Sequence, residues 1–517
     1  AATRVDEDGL VNYAEVLGSE EITNGDFATN LDSWSTSSWW VWNSLGAYHP
    51  STSSHKPLYQ QCCVIGKTYL ITFDLNCIGS SQAKFSLGSS TGSTTQVIGT
   101  SLTSGSYSYF VTAAAEYIVF NRQNTAEYYV NNVSVKEAAR DNVPRIDYTG
   151  GGCPHILAEP QRTNLIPYSE DYTEYSISTT NLDTPTIVSI TNPTGVNSAG
   201  LLNINNGVSA SKFIYLAIST SSSIHTQSIF VKYVDRQWLQ LLSGGTSHYA
   251  NFDIQNGVVG NTSACSSTIE DYGNGWYKCT ATLDSAATPS NIAIAVIDDN
   301  TAIRLTASTG TGSYYLFGSQ VEEGSYATSY IPTSGGTVTR NQDIFTRDGI
   351  GSLINDSEGT LYFEGSALEN GGSHRIISLS DGTWNNLIYM RFDSTASRFR
   401  GFARGSSGSF TMITVNSVSQ TDNNKIALVW DATNFRIWIN GNERATATIS
   451  DLPVGMNALN FTDVSGTTDP FFGKVRQLQV YNTALTDEQL LQLTGESGTD
   501  FYESYAEMAA ALTYTIQ

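Results

Sequence analysis

Five aromatic residues close together, Trp34, Trp39, Trp40, Trp42 and Tyr48, are the side chains best placed to do chemistry in this sequence. Indole and phenol faces stack on the axial C–H faces of sugar rings, while nearby Asn, Gln or Asp side chains bond the hydroxyls. On a strand, Trp39-Trp40-x-Trp42 puts Trp40 and Trp42 on one face and Trp39 on the other, so one side belongs to a core. Two readings stand side by side: Trp39, Trp40, Trp42 and Tyr48 hold a saccharide, or they pack a sandwich or a subunit contact. Bond-breaking chemistry finds no foothold. Glycoside hydrolysis needs two carboxylates across a cleft, and the adjacent Glu322-Glu323 would face opposite sides of a strand. Gly88-Ser89-Ser90-Thr91-Gly92 fits G-x-S-x-G, but it lies in a Ser/Thr/Gly-rich hairpin region, not at a strand-to-helix elbow. The six histidines, His49, His55, His155, His225, His248 and His374, form no H-E-x-x-H or comparable cluster. The expectation is a protein that is not an enzyme.

The elements that must position these residues are read from size and composition first. At roughly 150 residues per domain, 517 residues make three or four domains. Only 14% of residues are charged and 11% are aromatic, with Ser, Thr, Asn and Gly abundant, which fits β-rich surfaces and not a disordered chain. A net charge of −22 repels phosphates, so no nucleic acid partner is expected. No run of about 18 apolar residues exists, so no membrane insertion is expected, and no signal-peptide pattern opens the chain. The six cysteines, Cys62, Cys63, Cys77, Cys153, Cys265 and Cys279, match no zinc template. Cys265 and Cys279 could face each other across neighbouring strands or remain buried thiols.

Period-two alternation recurs along most of the chain. The reading is all-β: three tandem β-sandwiches with a short C-terminal helix. Residues 1–18 are an N-terminal connector, 19–138 a first sandwich, and 139–164 an ordered Pro/Gly connector. Residues 165–339 form a second sandwich and 340–495 a third. In KIALVWD, Ile426, Leu428 and Trp430 share a face, as do Phe435, Ile437 and Ile439 in FRIWIN, with hairpin turns at Ala432-Thr433-Asn434 and Asn440-Gly441. Thr486 and Gln489 can cap a helix after the last strand. Residues 496–517 form a tail, with Ser504 and Glu507 capping a second short helix.

Three resemblances follow from particular runs. NGDF…W at 24–34 and the closing VNNVSV strand resemble carbohydrate-binding modules of jelly-roll type. GTLYFEGSAL, KIALVWD, FRIWINGNERA and the closing GKVRQLQVYNTALTDEQLLQL resemble the concanavalin-like, laminin G-type sandwich. The glycanases of that shape carry E-x-D-x-E or a close variant, and no such run occurs here. Related sandwiches often hold a structural calcium, which implies Asp26, Asn131 and Asn132 as ligands. Asparagines stand where relatives have an acid, and Asp26 can instead stabilise a turn.

The third resemblance covers the most specific motif. PRIDYTGGGCPHILAEPQRTNLIPYSEDY at 144–172 closely resembles a segment of bacteriophage structural proteins, as do GNGWYKCTATL and LFGSQVEEGSYATSYIPTSG. The opening AATRVDEDGLVNY resembles a run that sits in those relatives just before PRIDY. The resemblance therefore implies that Gly18 to about Ala138 is inserted and that the chain begins mid-protein. It implies a tail or head fibre, or a capsid-decorating appendage, at the virion surface. Expected partners are other virion proteins, further copies of the chain (a trimer favoured) and host-surface polysaccharide. A secreted bacterial carbohydrate-binding protein and a polysaccharide-degrading enzyme are the alternatives.

Overall fold

The structure, a computed structural model, describes residues 2–36, 39–52, 56–90, 92–123, 126–140, 143–150, 153–179, 181–205, 207–220, 224–243, 247–284, 289–464, 466 and 468–495. The tail expected at 496–517, with its second capping box, lies outside the described residues. The chain is an all-β protein of several sandwiches and divides into two compact units. Tyr13–Val143 form the first, and Ala2–Asn12 with Pro144–Gln517 form the second.

The first unit is two antiparallel sheets face to face. One runs Thr94–Leu102, Ala83–Gly88, Tyr117–Arg122, Leu58–Gln61, Ser35–Thr36. The other runs Gly105–Thr112, Thr68–Cys77, Ala126–Ala139, Gly46–Thr52, Val41–Asn43, with Val16–Glu20 also paired to Ala126–Ala139. Alternation explains the sandwich. Along Thr68–Cys77, Tyr69, Ile71, Phe73 and Leu75 are buried while Thr68, Leu70, Thr72 and Asp74 look outward. Phe73, Phe85 and Phe120, from three strands of both sheets, pack with ring centroids 4.8 to 5.1 Å apart. Gly88-Ser89-Ser90-x-Gly92 is the turn between paired strands Ala83–Gly88 and Thr94–Leu102, a hairpin without a helix.

The second unit contains two further sandwiches. In one, a sheet running Ser176–Ile177, Lys212–Ala217, Asn291–Val296, Trp238–Ser243, Tyr249–Asp253, Val258–Ser263 covers another. The second sheet runs Thr186–Thr191, Asn197–Ile204, Gly312–Glu323, Ile224–Tyr233, Trp276–Asp284, Cys265–Asp271. In the last sandwich a six-stranded sheet faces a seven-stranded one, and Ile426, Leu428, Trp430, Phe435, Ile437 and Ile439 all point into the shared core. The hairpin turn there is held by Asp431, whose carboxylate accepts from the Thr433 and Asn434 amides at 2.8 Å each. Asn440 and Gly441 adopt φ of +49° and +79°, the left-handed pair that a tight hairpin needs. The helix Asp487–Thr494 carries the expected Thr486/Gln489 capping box and lays Leu490 against Tyr362, Ala427, Val429 and Trp438.

Two placements differ from the linear reading. Residues expected to form a connector supply Ile146–Asp147 and His155–Ala158 to the seven-stranded sheet, where Ile156 pairs with Val475. The opening run belongs with them: Val5 N donates to Asp147 at 2.9 Å and Tyr148 N donates to Val5 O at 3.0 Å. Two pieces that a whole sandwich separates in sequence are thus neighbours in space.

Candidate functional site

The first candidate surface lies at one edge of the first unit. Val41–Asn43 is the edge strand, and its hairpin with Gly46–Thr52 sets Val41 opposite Tyr48 and Trp42 opposite Ala47. Asn43 closes the turn by accepting from Leu45 N at 2.8 Å. Strand alternation begins only at Val41. Trp39 sits in the preceding turn, and the expected sharing of a face by Trp40 and Trp42 does not occur. Trp40 is 5% exposed, packs edge-on against His49 and Tyr128, and donates from Nε1 to Lys56 O at 2.9 Å. It is a core residue, as is Trp34. Trp39 and Trp42 remain 45% and 38% exposed. The Trp42 indole is fixed by donating to Phe27 O at 2.6 Å, and Lys56 Nζ lies 5.8 Å from the Trp39 ring.

Tyr48 lies on the outer face of the six-stranded sheet. Its ring stacks on that of Tyr129, its cross-strand partner, at 4.8 Å. Its hydroxyl donates to Glu127, and this bond, with some burial, pushes the phenol up to about 12, so it remains a donor. Further along the same face Asp74 accepts from the Asn132 amide at 2.7 Å and from Ser106. Stacked phenols beside carboxylates and amides form a platform able to take a sugar ring and bond its hydroxyls. Tyr129, Glu127 and Asp74 were not picked out from sequence. Their signal was available in AEYYVNN and TFDLN, where alternate residues must look outward once Tyr128 and Phe73 are assigned to the core.

The residues expected to hold calcium make hydrogen bonds of their own. Asp26 accepts from Ala28 N at 3.3 Å in a local turn, and Asn131 accepts from Asn132 N at 2.8 Å. Asn132, at φ +51° in a bulge, uses its amide on Asp74. Among the described residues no three His, Cys, Asp or Glu side chains are grouped to hold a metal. The cysteine pairing is also excluded by register: Cys265 stands opposite Leu283 and Cys279 opposite Ile269, and all six cysteines are free.

The EPQRTNL segment builds a different kind of site. Glu159 is fully buried, and one carboxylate oxygen takes Arg145 Nη1 and Arg340 Nη1 at 2.6 Å each and the Ser329 hydroxyl at 2.8 Å. Its other oxygen accepts from Ser329 N at 2.9 Å. Asp343 pairs with Arg145 on the other side and accepts from Glu159 N at 2.7 Å. Burial alone would raise Glu159, but Arg340 and Arg145 outweigh it and bring it down to about 2. Asn164 gives its amide hydrogens to Ser319 O and Ile331 O and takes the Ile166 and Val321 amides, four bonds within a fully buried environment. Glu322, also fully buried, accepts from Thr328 N and Thr328 hydroxyl and from Gln320, and burial raises it. These acids hold backbone in place.

Residues 352–491 match the family described as Concanavalin A-like lectin/glucanases superfamily (Laminin_G_3), so this part of the chain is a concanavalin-like domain. No curated protein sequence matches the chain. Solved structures with weak likeness include the CBM40 of Ruminococcus gnavus IT-sialidase, 17% identical over 29% of this chain and 98% of that one, with a TM-score of 0.26. A leech intramolecular trans-sialidase is 18% identical over 32% of this chain and 29% of that one, at 0.25. The binding domain of botulinum neurotoxin serotype G is 14% identical over 30% and 40%, also at 0.25. Likenesses this weak say nothing about what this chain binds.

Proposed function

We propose that this protein is a non-enzymatic structural appendage of a bacteriophage virion, displaying its sandwiches at the particle surface for adhesion to host glycans. One observation supports this most: the polar residues of the phage-like segment, Glu159, Asn164 and their partners Arg145 and Arg340, are spent on holding strands together. A motif used that way is a building joint. The adhesive half of the reading rests on Trp39, Trp42, Tyr48 and Tyr129 and on a concanavalin-like domain at 352–491. Single contacts on such open surfaces are weak, and a homo-oligomer, a trimer being favoured, would turn them into avidity.

Mass spectrometry of purified phage particles tests the structural half; absence of the chain from particles refutes it. A glycan array probed with the oligomer and with Trp42→Ala tests the adhesive half. The lectin/glucanase family match favours a second reading, a secreted bacterial carbohydrate-binding protein. It predicts array binding together with absence from particles.

A further inference from the structure

The outer face of the first unit's six-stranded sheet carries charge that its own side chains leave uncancelled. Register sets Val41, Tyr48, Tyr129 and Asn76 in one row across four strands. Glu127 lies two residues before Tyr129 on the same strand, and Asn131, with Asp74 opposite it, two residues after. Rows two residues apart on one face are about 7 Å apart, so a carboxylate flanks the tyrosine row on either side. Tyr48 and Tyr129 each give one ring face to the other, 4.8 Å away, and Val41 beside them is 53% exposed. What the row offers a ligand is an apolar rim, and the carboxylates must supply the selectivity.

Neither carboxylate is short of hydrogen bonds. Glu127 accepts from the Tyr48 hydroxyl, and Asp74 accepts from the Asn132 amide at 2.7 Å and from the Ser106 hydroxyl. All three donors are neutral, so what both carboxylates lack is a counter-charge. Among the described residues neither forms an ion pair. The unit's six basic residues are placed elsewhere. Lys67 pairs with Glu137 at 2.6 Å and Arg140 with Glu15 at 2.9 Å. Lys136 stands between Glu20 and Leu70 in the register. Leu70 is four residues from Asp74, about 13 Å along the strand, beyond the screening length of about 8 Å. Lys84 and Arg122 belong to the other sheet, and Lys56 lies over the Trp39 ring.

We infer that this face binds an amino sugar, a hexosamine polymer whose free ammonium groups meet Glu127 and Asp74 while its rings run over Val41, Tyr48 and Tyr129. A hydroxyl would add one more neutral bond to carboxylates that already accept such bonds. An ammonium adds the missing charge, and a charge-assisted bond is about twice as strong as a neutral one. An acidic sugar is repelled by the same two carboxylates and by a chain of net charge −22. A basic peptide would match the charge, but it brings no pyranose face to lay along the row. The inference rests on the adhesive reading and deepens it by naming the ligand class of that surface.

The test is calorimetric titration of the full chain at about pH 5.5, where the amines carry protons, with hexaglucosamine, its fully N-acetylated form and hexalysine. Hexaglucosamine should bind, and the acetylated oligomer, with the same rings but no charge, about tenfold more weakly or worse. Glu127→Gln removes the charge and keeps an acceptor for the Tyr48 hydroxyl. It and Asp74→Asn should each weaken hexaglucosamine about threefold or more and spare the acetylated oligomer, with the unit's melting within about 2 °C. Equal or tighter binding of the acetylated oligomer, indifference to both variants, no binding of hexaglucosamine, or hexalysine bound as tightly through Glu127 and Asp74 would overturn the inference. Acetylated oligomer binding that Trp42→Ala abolishes, with no gain from free amines, sinks the charge argument alone and leaves the adhesive reading standing. Silence in these titrations together with a silent glycan array sinks both.

Discussion

Replacing Glu159 with Gln removes one charge from a buried group of two guanidiniums and two carboxylates while keeping the side chain's size. The variant leaves Arg145 paired with Asp343 and takes from Arg340 its carboxylate partner Glu159. Removing one partner from such a cluster typically costs about 3–5 kcal/mol, because a buried charge is left uncompensated. Proton linkage gives an independent figure. Folding lowers Glu159 from its ordinary 4.5 to about 2, and each unit is worth about 1.4 kcal/mol, so the ionised form contributes about 3 kcal/mol. The folded state binds fewer protons than the unfolded one in that interval. The contribution is therefore complete above pH 4.5 and is lost as pH falls towards 2. Differential scanning calorimetry of the full chain at pH 7 should show the transition of the second unit lowered by on the order of 10 °C in Glu159→Gln. The transition of Tyr13–Val143 should stay where it is. At pH 2.5 the difference between variant and wild type should shrink to a small fraction of its pH 7 value. A shift under about 2 °C at pH 7, or one that does not shrink with acid, would refute the ion pairs of Glu159 with Arg145 and Arg340 as a stabilising element.

Three other outcomes follow from the same geometry. Trp40→Ala should destabilise the first unit by about 3–5 kcal/mol in calorimetry, and Trp39→Ala by no more than about 0.5 kcal/mol, because only the first is packed in the core. A chelator should move the first unit's melting by less than about 1 °C; a calcium at 100 times its dissociation constant would contribute about 2.7 kcal/mol, a shift calorimetry could not miss. Titration with a thiol reagent should find six free thiols in the denatured, unreduced chain, and in the folded chain Cys153, the exposed one, should react ahead of the buried Cys279, whose thiol burial raises.

What the sequence made legible was whatever repeats every second residue. Ile426, Leu428 and Trp430, or Tyr69, Ile71 and Phe73, point inward because the pleat demands it, and no distant partner is needed to know so. What depended on remote partners stayed hidden. Glu159 meets Arg340 across 181 positions, and no local pattern announces that a Glu after a strand will be buried between two arginines. His155–Ala158 was a connector until its partner, Gly473–Tyr481, was known. Trp40 was misplaced by a boundary: alternation was counted from Trp39, while the strand begins at Val41. The Cys265–Cys279 contact failed for want of a register, which the tight turn from Tyr272 to Trp276 sets. The strand Arg398–Arg404 sits between these cases. Arg398, Arg400, Phe402 and Arg404 alternate visibly in RFRGFAR. What forces them outward is the other half of the same strand. Phe399 and Ala403 fill the core, and at Gly401 even a methyl group would come within 3.0 Å of Leu428 and 3.1 Å of Ile437. The inner side has no room left, so the guanidiniums must be displayed on the outer face, and their exposure is a consequence of packing.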